Sequence, residues 1–255
     1  MHSDVTIVIP IFQLDQYRTR NLDFILSRLI STSKRIVLIE QSTTGDPMYA
    51  SIKHSNIEHL VFRSPHDKIR KSWLINTSMN FIKTTHIWVC DTDFYIEYNK
   101  LNINNVLAHD FIQPYHYAKD LDELQTQSLV NNGNIEVNYY SGEEESYRHI
   151  NTFGALSFIA NISKFQSIGG MCEQYEGWGY EDFDLYLRVH LNTTGPQIYI
   201  VDNILGVHMY HPPSLTKPGD VTNNLKIFTE KGFNIDQIDD ITLKYYYTDW
   251  GLVKK

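Results

Sequence analysis

The chain has 255 residues, 42% of them hydrophobic, with a formal net charge of −8 and a pI near 5.7. That length supports one large domain or two small ones, with roughly three quarters of the unfolded surface buried, and the acidic balance argues against a nucleic-acid binder, which usually shows a basic stripe. No polybasic run marks a membrane patch and no stretch of 18 apolar residues marks a transmembrane segment.

In chain order, residues 5–10 are a short β-branched run ended by Pro10, the pattern of a buried strand. Residues 17–30 carry Tyr17, Leu22, Ile25, Leu26 and Leu29 at near-helical spacing, and 35–39 read as a second buried strand closed by Glu40-Gln41-Ser42. A third strand is expected over 59–62, an amphipathic helix over 68–81, and a strand over 87–90 that runs into Asp91-Thr92-Asp93. This alternation predicts a mostly parallel sheet with right-handed crossovers. Ligands in such sheets sit beyond the carboxyl ends of the strands, where Pro10, Glu40 and Asp91 fall.

The second half differs in texture. Residues 118–150 are polar and acidic, with Asn131-Asn132-Gly133 and Glu143-Glu144-Glu145, and read as a long surface excursion. An apolar strand is expected over 153–160, a short helix over 163–168, a helix over 183–190 and strand-like material over 201–210. Residues 225–255 read as a closing helix and strand. The two cysteines, Cys90 and Cys172, fit no zinc or disulfide spacing. The start, Met1-His2-Ser3-Asp4, lacks the basic and apolar pattern of a signal peptide, so a cytoplasmic location is expected.

Three constellations can carry chemistry. Two carboxylates two residues apart at a strand end, Asp91 and Asp93, can address one hard divalent cation, although acidic pairs at strand ends are also common solvated turns. In Gly177-Trp178-Gly179-Tyr180-Glu181-Asp182 the glycines let a loop present an indole to a sugar face. The adjacent acids open a helix whose dipole favours an ionised carboxylate, and such a group can take a proton from an attacking hydroxyl. Helix capping with Trp178 in the core is the plain alternative. His208 and His211, three apart, can share a metal if the chain turns between them. Lys71, near a helix start, can meet a diphosphate or remain a surface lysine.

Taken in this order, the pieces resemble the β-1,4-galactosyltransferase family of GT-A fold glycosyltransferases. The resemblance rests on Ile7-Val8-Ile9-Pro10, Glu40-Gln41, Leu74-Ile75-Asn76 and Val89-Cys90-Asp91-Thr92-Asp93. It continues through Phe153-Gly154-Ala155-Leu156-Ser157, Gly169-Gly170 and, most specifically, Gly177-Trp178-Gly179 with Glu181-Asp182. It implies a Rossmann-like, mostly parallel sheet with helices on both faces. The whole chain would be one domain, with a nucleotide-sugar lobe over 1–115 and an acceptor and catalytic lobe over 150–255. It further implies Asp93, His208 and His211 as ligands of Mn2+ or Mg2+, and Pro10, Gln41, Lys71, Asp91 and Asp93 on a UDP-sugar donor. Asp182 would be the catalytic base of an inverting transfer to a glycan or other hydroxyl acceptor, with Trp178, Gly179, Tyr180 and Glu181 on that acceptor. This chain departs from the family pattern with His208 in place of a methionine, Tyr180 in place of a glycine and Phe183 in place of an acid.

Because His211 precedes Pro212-Pro213 and Gly219, residues 209–224 are expected to form a lid. Two other functions use the same residues. One aspartate and two histidines also make the facial triad of a non-haem iron oxygenase, which requires a double-stranded β-helix. A non-catalytic carbohydrate-binding protein on the same scaffold is the other.

Overall fold

The structure is a computed structural model describing residues 4–32, 34–50, 53–135, 147–148, 153–191, 198–202, 204–212 and 217–234. The closing strand expected within 225–255 and Glu143-Glu144-Glu145 lie outside the described residues.

The opening strands are built by alternation. β1 (Val5–Ile11), β2 (Arg35–Ser42) and β4 (His86–Cys90) are buried on both faces, as strands covered by crossover helices must be. On one face Ile7, Ile9, Ile36, Leu38 and Trp88 pack with Leu22, Ile25, Leu26 and Leu29 of helix α1 (Gln16–Leu29). On the other, Val8, Val37, Ile39, Ile87 and Val89 meet Leu74 and Ile75 of helix α2 (Lys71–Ser78). Phe165 of α5 (Ile162–Ser167) and Leu185 of α6 (Glu181–Leu191) join the second face. Helices therefore cover both faces of the sheet, as expected.

β3 (Ile57–Arg63), β6 (Phe111–Gln113), β9 (Ser157–Asn161) and β10 (Ile198–Ile200) complete a seven-stranded sheet in the order β10-β6-β9-β4-β1-β2-β3. The pairs β1–β2, β1–β4, β2–β3 and β6–β10 are parallel, while β9 runs antiparallel to both β4 and β6. A mostly parallel sheet of this kind is not the double-stranded β-helix that the iron-oxygenase reading requires.

A second sheet, of which the residue pattern announced only the strand-like stretch over 201–210, lies at the carboxyl end of β4. Its order is β5-β11-β7-β8, from β5 (Phe94–Ile96), β7 (Tyr117–Asp120), β8 (Tyr147–Arg148) and β11 (Leu205–His208). These strands have two to four residues, too short for periodicity to register. After the short helix α3 (Ile103–Val106), the excursion expected over 118–150 begins instead with β7 and the helix α4 (Glu123–Asn132). Asp122 caps that helix in a reciprocal box with Gln125, and Gly133 closes it in the left-handed conformation at φ 80°. Asn131-Asn132-Gly133 is thus a helix end. Helix α2 begins three residues later than expected, because the amide of Gln41 holds the preceding loop extended.

The second sheet is tightly packed where it faces the core. Gly206 of β11 lies under the fully buried ring of Phe94, and a Cβ there would fall 2.1 Å from Phe94 Cζ. Gly206→Ala is expected to displace that ring and to cost about 1–3 kcal/mol, the usual range for overpacking. Urea unfolding measures this; an unchanged midpoint would contradict the close approach.

Candidate active site

Asp93 leaves β4 directly before β5, and β5 pairs antiparallel with β11 so that Phe94 faces His208. The Met209 amide continues the ladder by donating to the Asp93 carbonyl at 2.7 Å. Strand register thereby brings together residues 115 positions apart (93 and 208). His208 Nε2 lies 3.6 Å from Asp93 Oδ1, and His211 Nε2 lies 3.3 Å from Asp93 Oδ2. One ligand atom from each of Asp93, His208 and His211 falls within 4.8 Å of the others. Octahedral oxygen or nitrogen ligands about 2.1 Å from a cation stand roughly 3–4.2 Å apart, so this set fits one divalent cation of the manganese or magnesium class after small adjustment.

The segment carrying the histidines is clamped from two helices. The Tyr210 amide donates to Thr126 Oγ1 on α4 at 2.8 Å, and the Tyr210 carbonyl accepts from Asn21 Nδ2 and Arg20 Nη2 on α1. Asn21 and Thr126 are both fully buried. His208 Nδ1 is 2.9 Å from Asp120 Oδ1. His211 Nδ1 has two competing neighbours, Arg18 Nη2 at 2.8 Å and the Pro212 carbonyl at 2.9 Å. Arginine only donates and a carbonyl only accepts. The Pro212 contact therefore leaves the His211 Nε2 lone pair facing Asp93, while the Arg18 contact favours the opposite tautomer. Burial, the largest influence, pushes the His211 imidazole below its usual range, which keeps it neutral at neutral pH.

Next to this triad, Lys71 Nζ grips Asp91 at 2.6 and 2.9 Å. Burial opposes the ammonium, but the charges of Asp91, Glu181 and Asp182 outweigh it and raise its pKa. Burial likewise pushes the Asp91 carboxyl up, against the pull of Lys71. The two acids that open α6 thus share a charge environment with the end of β4. Asp182 is 5% exposed, and its Oδ1 accepts the Phe183 amide at 2.8 Å.

The chain is similar to several solved glycosyltransferase structures. S. aureus TarS 1–349 in complex with UDP-GlcNAc superposes with a TM-score of 0.55 at 11% identity, covering 97% of this chain and 72% of that one. GalNAc-T7 with UDP, GalNAc and Mn2+ gives 0.54 at 11% identity, covering 97% of this chain and 54% of that one. This chain has the GT-A glycosyltransferase fold. A mutant of Drosophila β-1,4-galactosyltransferase 7 in complex with manganese, UDP-Gal and xylobiose gives 0.47 at 14% identity, covering 78% of this chain. The GT-A chain described here spans 65% of that galactosyltransferase's length. Residues 138–212 match the family model described as the N-terminal domain of galactosyltransferase. That stretch holds the Gly177–Asp182 block and both histidines, so the family resemblance read from the motifs has an independent match there. By sequence, no curated protein matches significantly. Among the described residues, no helix is long and apolar enough to cross a membrane.

Several residues expected at the site are buried or bonded within the fold. Tyr180, expected on the acceptor, is 3% exposed and packs its ring against Phe183 and Phe228, with centroids 5.9 and 5.3 Å away. It sits at φ 72°, a glycine-like conformation that costs a bulky residue on the order of 1–2 kcal/mol and that the surrounding packing must hold. Gln41, expected on the donor, is fully buried, and its amide bonds the His66 and Lys68 carbonyls and the Arg70 amide. It shapes the loop before Lys71. Pro10 is buried within β1, opposite Ile39 of β2. Asn76 is likewise occupied, holding Met171 through both backbone groups.

The expected lid over 209–224 is also revised. Met209 and Tyr210 are bonded in place, 213–216 lie outside the described residues, and helix α7 (Lys217–Glu230) takes up the rest. Asn224 of α7 is 2% exposed and donates to the carbonyls of Glu176, Trp178 and Gly179 at 3.0, 3.2 and 3.0 Å. Gly177, at φ 73°, is required here: a Cβ would fall 2.0 Å from Asp220 Oδ2. Trp178 is half-buried against the same aromatic cluster as Tyr180. Arg18, Asn21, Asp120, Thr126 and Asn224 were not singled out from sequence. Only the meeting of α1, α4, α7 and β7 with distant segments gives them a role.

Glu181 has a particular electrostatic position. Its Oε2 is buried with no hydrogen-bond partner, and burial reinforced by Asp182 pushes its carboxyl up to about 7, against the pull of Lys71. A pKa raised on folding from 4.5 means that the folded chain keeps a proton the unfolded chain has released. The associated stability is fully present below pH 4.5 and is lost as pH rises through 7. Glu181→Gln is therefore expected to melt above the wild type at pH 8, with the gap closing towards pH 4.5. A gap that ignores pH would contradict this account in a thermal-melt series.

Proposed function

We propose that the chain is an inverting, divalent-metal-dependent glycosyltransferase. It would move a hexose or N-acetylhexosamine from a UDP-sugar to an acceptor hydroxyl, the acceptor being a glycan. The observation that carries this reading is the meeting of Asp93, His208 and His211 beside a Lys71 that feels Asp91, Glu181 and Asp182 together. A metal-ligand set and a pair of acids thus address one region beyond the carboxyl end of β4. The GT-A fold and the family match over 138–212 support it. The Mn2+ and UDP bound to GalNAc-T7 and the UDP-GlcNAc bound to TarS suggest the cofactor and donor class.

A bound cation of the manganese or magnesium class would supply Lewis-acid stabilisation of the leaving diphosphate. Arg18, whose guanidinium lies 3.9 Å from Asp93 Oδ2, and Lys71 offer fixed positive charge for the same phosphates. To do so Lys71 must share its ammonium between Asp91 and the donor. Asp182 takes the proton as the acceptor oxygen bonds the anomeric carbon from the face opposite the diphosphate. The bond from that carbon to the diphosphate oxygen breaks, and its electron pair leaves with UDP. Attack from the opposite face inverts configuration. Glu181, holding a proton to about pH 7, is poised to donate a hydrogen bond to the acceptor while Asp182 accepts one. Trp178 is the aromatic platform on the loop held by Asn224.

Asp182→Asn tests the assignment. General-base assistance is worth about 10²–10⁴-fold, so turnover of UDP-sugar with manganese should fall by that factor. Stabilisation of the fold by UDP and manganese in a thermal-shift assay should persist. Full turnover in this variant would remove Asp182 as the base. Absence of any UDP-sugar turnover or hydrolysis by the wild type would favour a non-catalytic carbohydrate-binding protein.

A further inference from the structure

His208 occupies the end of β11, the strand between β5 and β7. Its two ring nitrogens each face a carboxylate from one flank. On the β5 side, Nε2 lies 3.6 Å from Asp93 Oδ1; on the β7 side, Nδ1 lies 2.9 Å from Asp120 Oδ1. Parallel pairing of β7 with β11 sets His208 directly beside Asp120, and the Leu121 amide donates to the His208 carbonyl at 2.9 Å just beyond. The backbone of Asp120 is therefore fixed beside His208, and its side chain has only to turn towards the ring to make the contact. The neighbouring acid has a separate task, since Asp122 caps α4 by accepting the Gln125 amide.

An ionised carboxylate only accepts hydrogen bonds. The 2.9 Å contact accordingly requires the proton of a neutral imidazole to sit on Nδ1, which leaves the Nε2 lone pair turned towards Asp93 and His211. That is the tautomer a metal ligand needs. His211 has no such lock, because Arg18 and the Pro212 carbonyl pull its Nδ1 in opposite senses. The charge balance points the same way. Arg18 lies 2.8 Å from His211 and 3.9 Å from Asp93. Arg18 is itself paired with Asp15 at 2.6 Å, so with two neutral imidazoles and one ligand carboxylate a divalent cation keeps one net positive charge among its ligands, and Asp120 adds a second negative charge one imidazole away.

We infer that Asp120 is a positioning residue for metal binding, fixing the tautomer and ring orientation of His208 through a carboxylate–histidine relay. This rests on the reading that Asp93, His208 and His211 hold a cation, and it goes further by naming what makes His208 a competent ligand in the second sheet.

The test uses the full chain with Mn2+ alone, titrated by electron paramagnetic resonance of free manganese, for wild type, Asp120→Ala, Asp120→Asn and His208→Ala. Loss of an outer partner to a metal-bound histidine typically weakens binding about 10- to 100-fold, and Asp120→Ala should fall in that range. Asp120→Asn keeps the shape and an acceptor oxygen without the charge, so a smaller loss is expected; this variant also guards against a folding failure of the alanine form. Long-range proton–nitrogen correlation on the metal-free protein should show His208 protonated on Nδ1 in the wild type, with that preference lost in Asp120→Ala. A merely structural aspartate would not move this signature. Mn2+ affinity unchanged in Asp120→Ala, or in Asp120→Asn if the alanine form does not fold, overturns the role of Asp120, provided His208→Ala binds weakly. Wild type that binds no better than His208→Ala overturns the metal site itself.

Discussion

The pairing of β5 with β11 is the constraint on which the site depends. Asp93 is fixed by its place one residue before β5, and His208 by its place at the end of β11. The ladder between those strands leaves their side chains little freedom in relative position. Its continuation through the Met209 amide to the Asp93 carbonyl carries the same order towards His211. A metal site assembled from flexible loops would have to be ordered by the cation itself, at a cost in affinity. One assembled across a strand register is largely ordered beforehand.

Around that core, buried polar side chains act as clamps between segments distant in sequence. Asn21 and Thr126 hold the two backbone groups of Tyr210, Asn76 holds those of Met171, and Asn224 holds three carbonyls of the tryptophan loop. Each satisfies backbone groups that burial would otherwise leave unpaired, at about 1–3 kcal/mol apiece. Side-chain pairs tie further segments together around the same region. Lys68 pairs with Asp220 and His66 with Glu176, which ties the loop before α2 to α7 and to the loop that carries Trp178. Lys71 and the acids at 181 and 182 are thereby held within one frame.

Long, doubly buried strands were legible in the sequence because burial on both faces leaves continuous apolar runs such as Val5–Ile11 and His86–Cys90. Asp93, His208 and His211 were legible as ligand types, and the structure brings all three together. Of the second sheet only the strand-like stretch over 201–210, which holds β11, was legible, since its other strands of two to four residues carry no period. The clamps were hidden for a different reason. Asn21 and Thr126 lie on helices whose apolar spacing says nothing of which loop will return to meet them. The burial of Tyr180, which the resemblance put on the acceptor, was not legible either, because Phe228 of α7, 48 positions away (180 to 228), supplies the ring it packs on.

The most direct test of the account is a crystal of the protein soaked in manganese and a UDP-sugar, with an anomalous difference map at the manganese edge. The account predicts a single strong peak about 2.2 Å from an Asp93 oxygen and the Nε2 atoms of His208 and His211. It also predicts the diphosphate on that ion and the anomeric carbon presented to Asp182. A peak away from these three side chains, or a sugar whose far face is turned from Asp182, would contradict it.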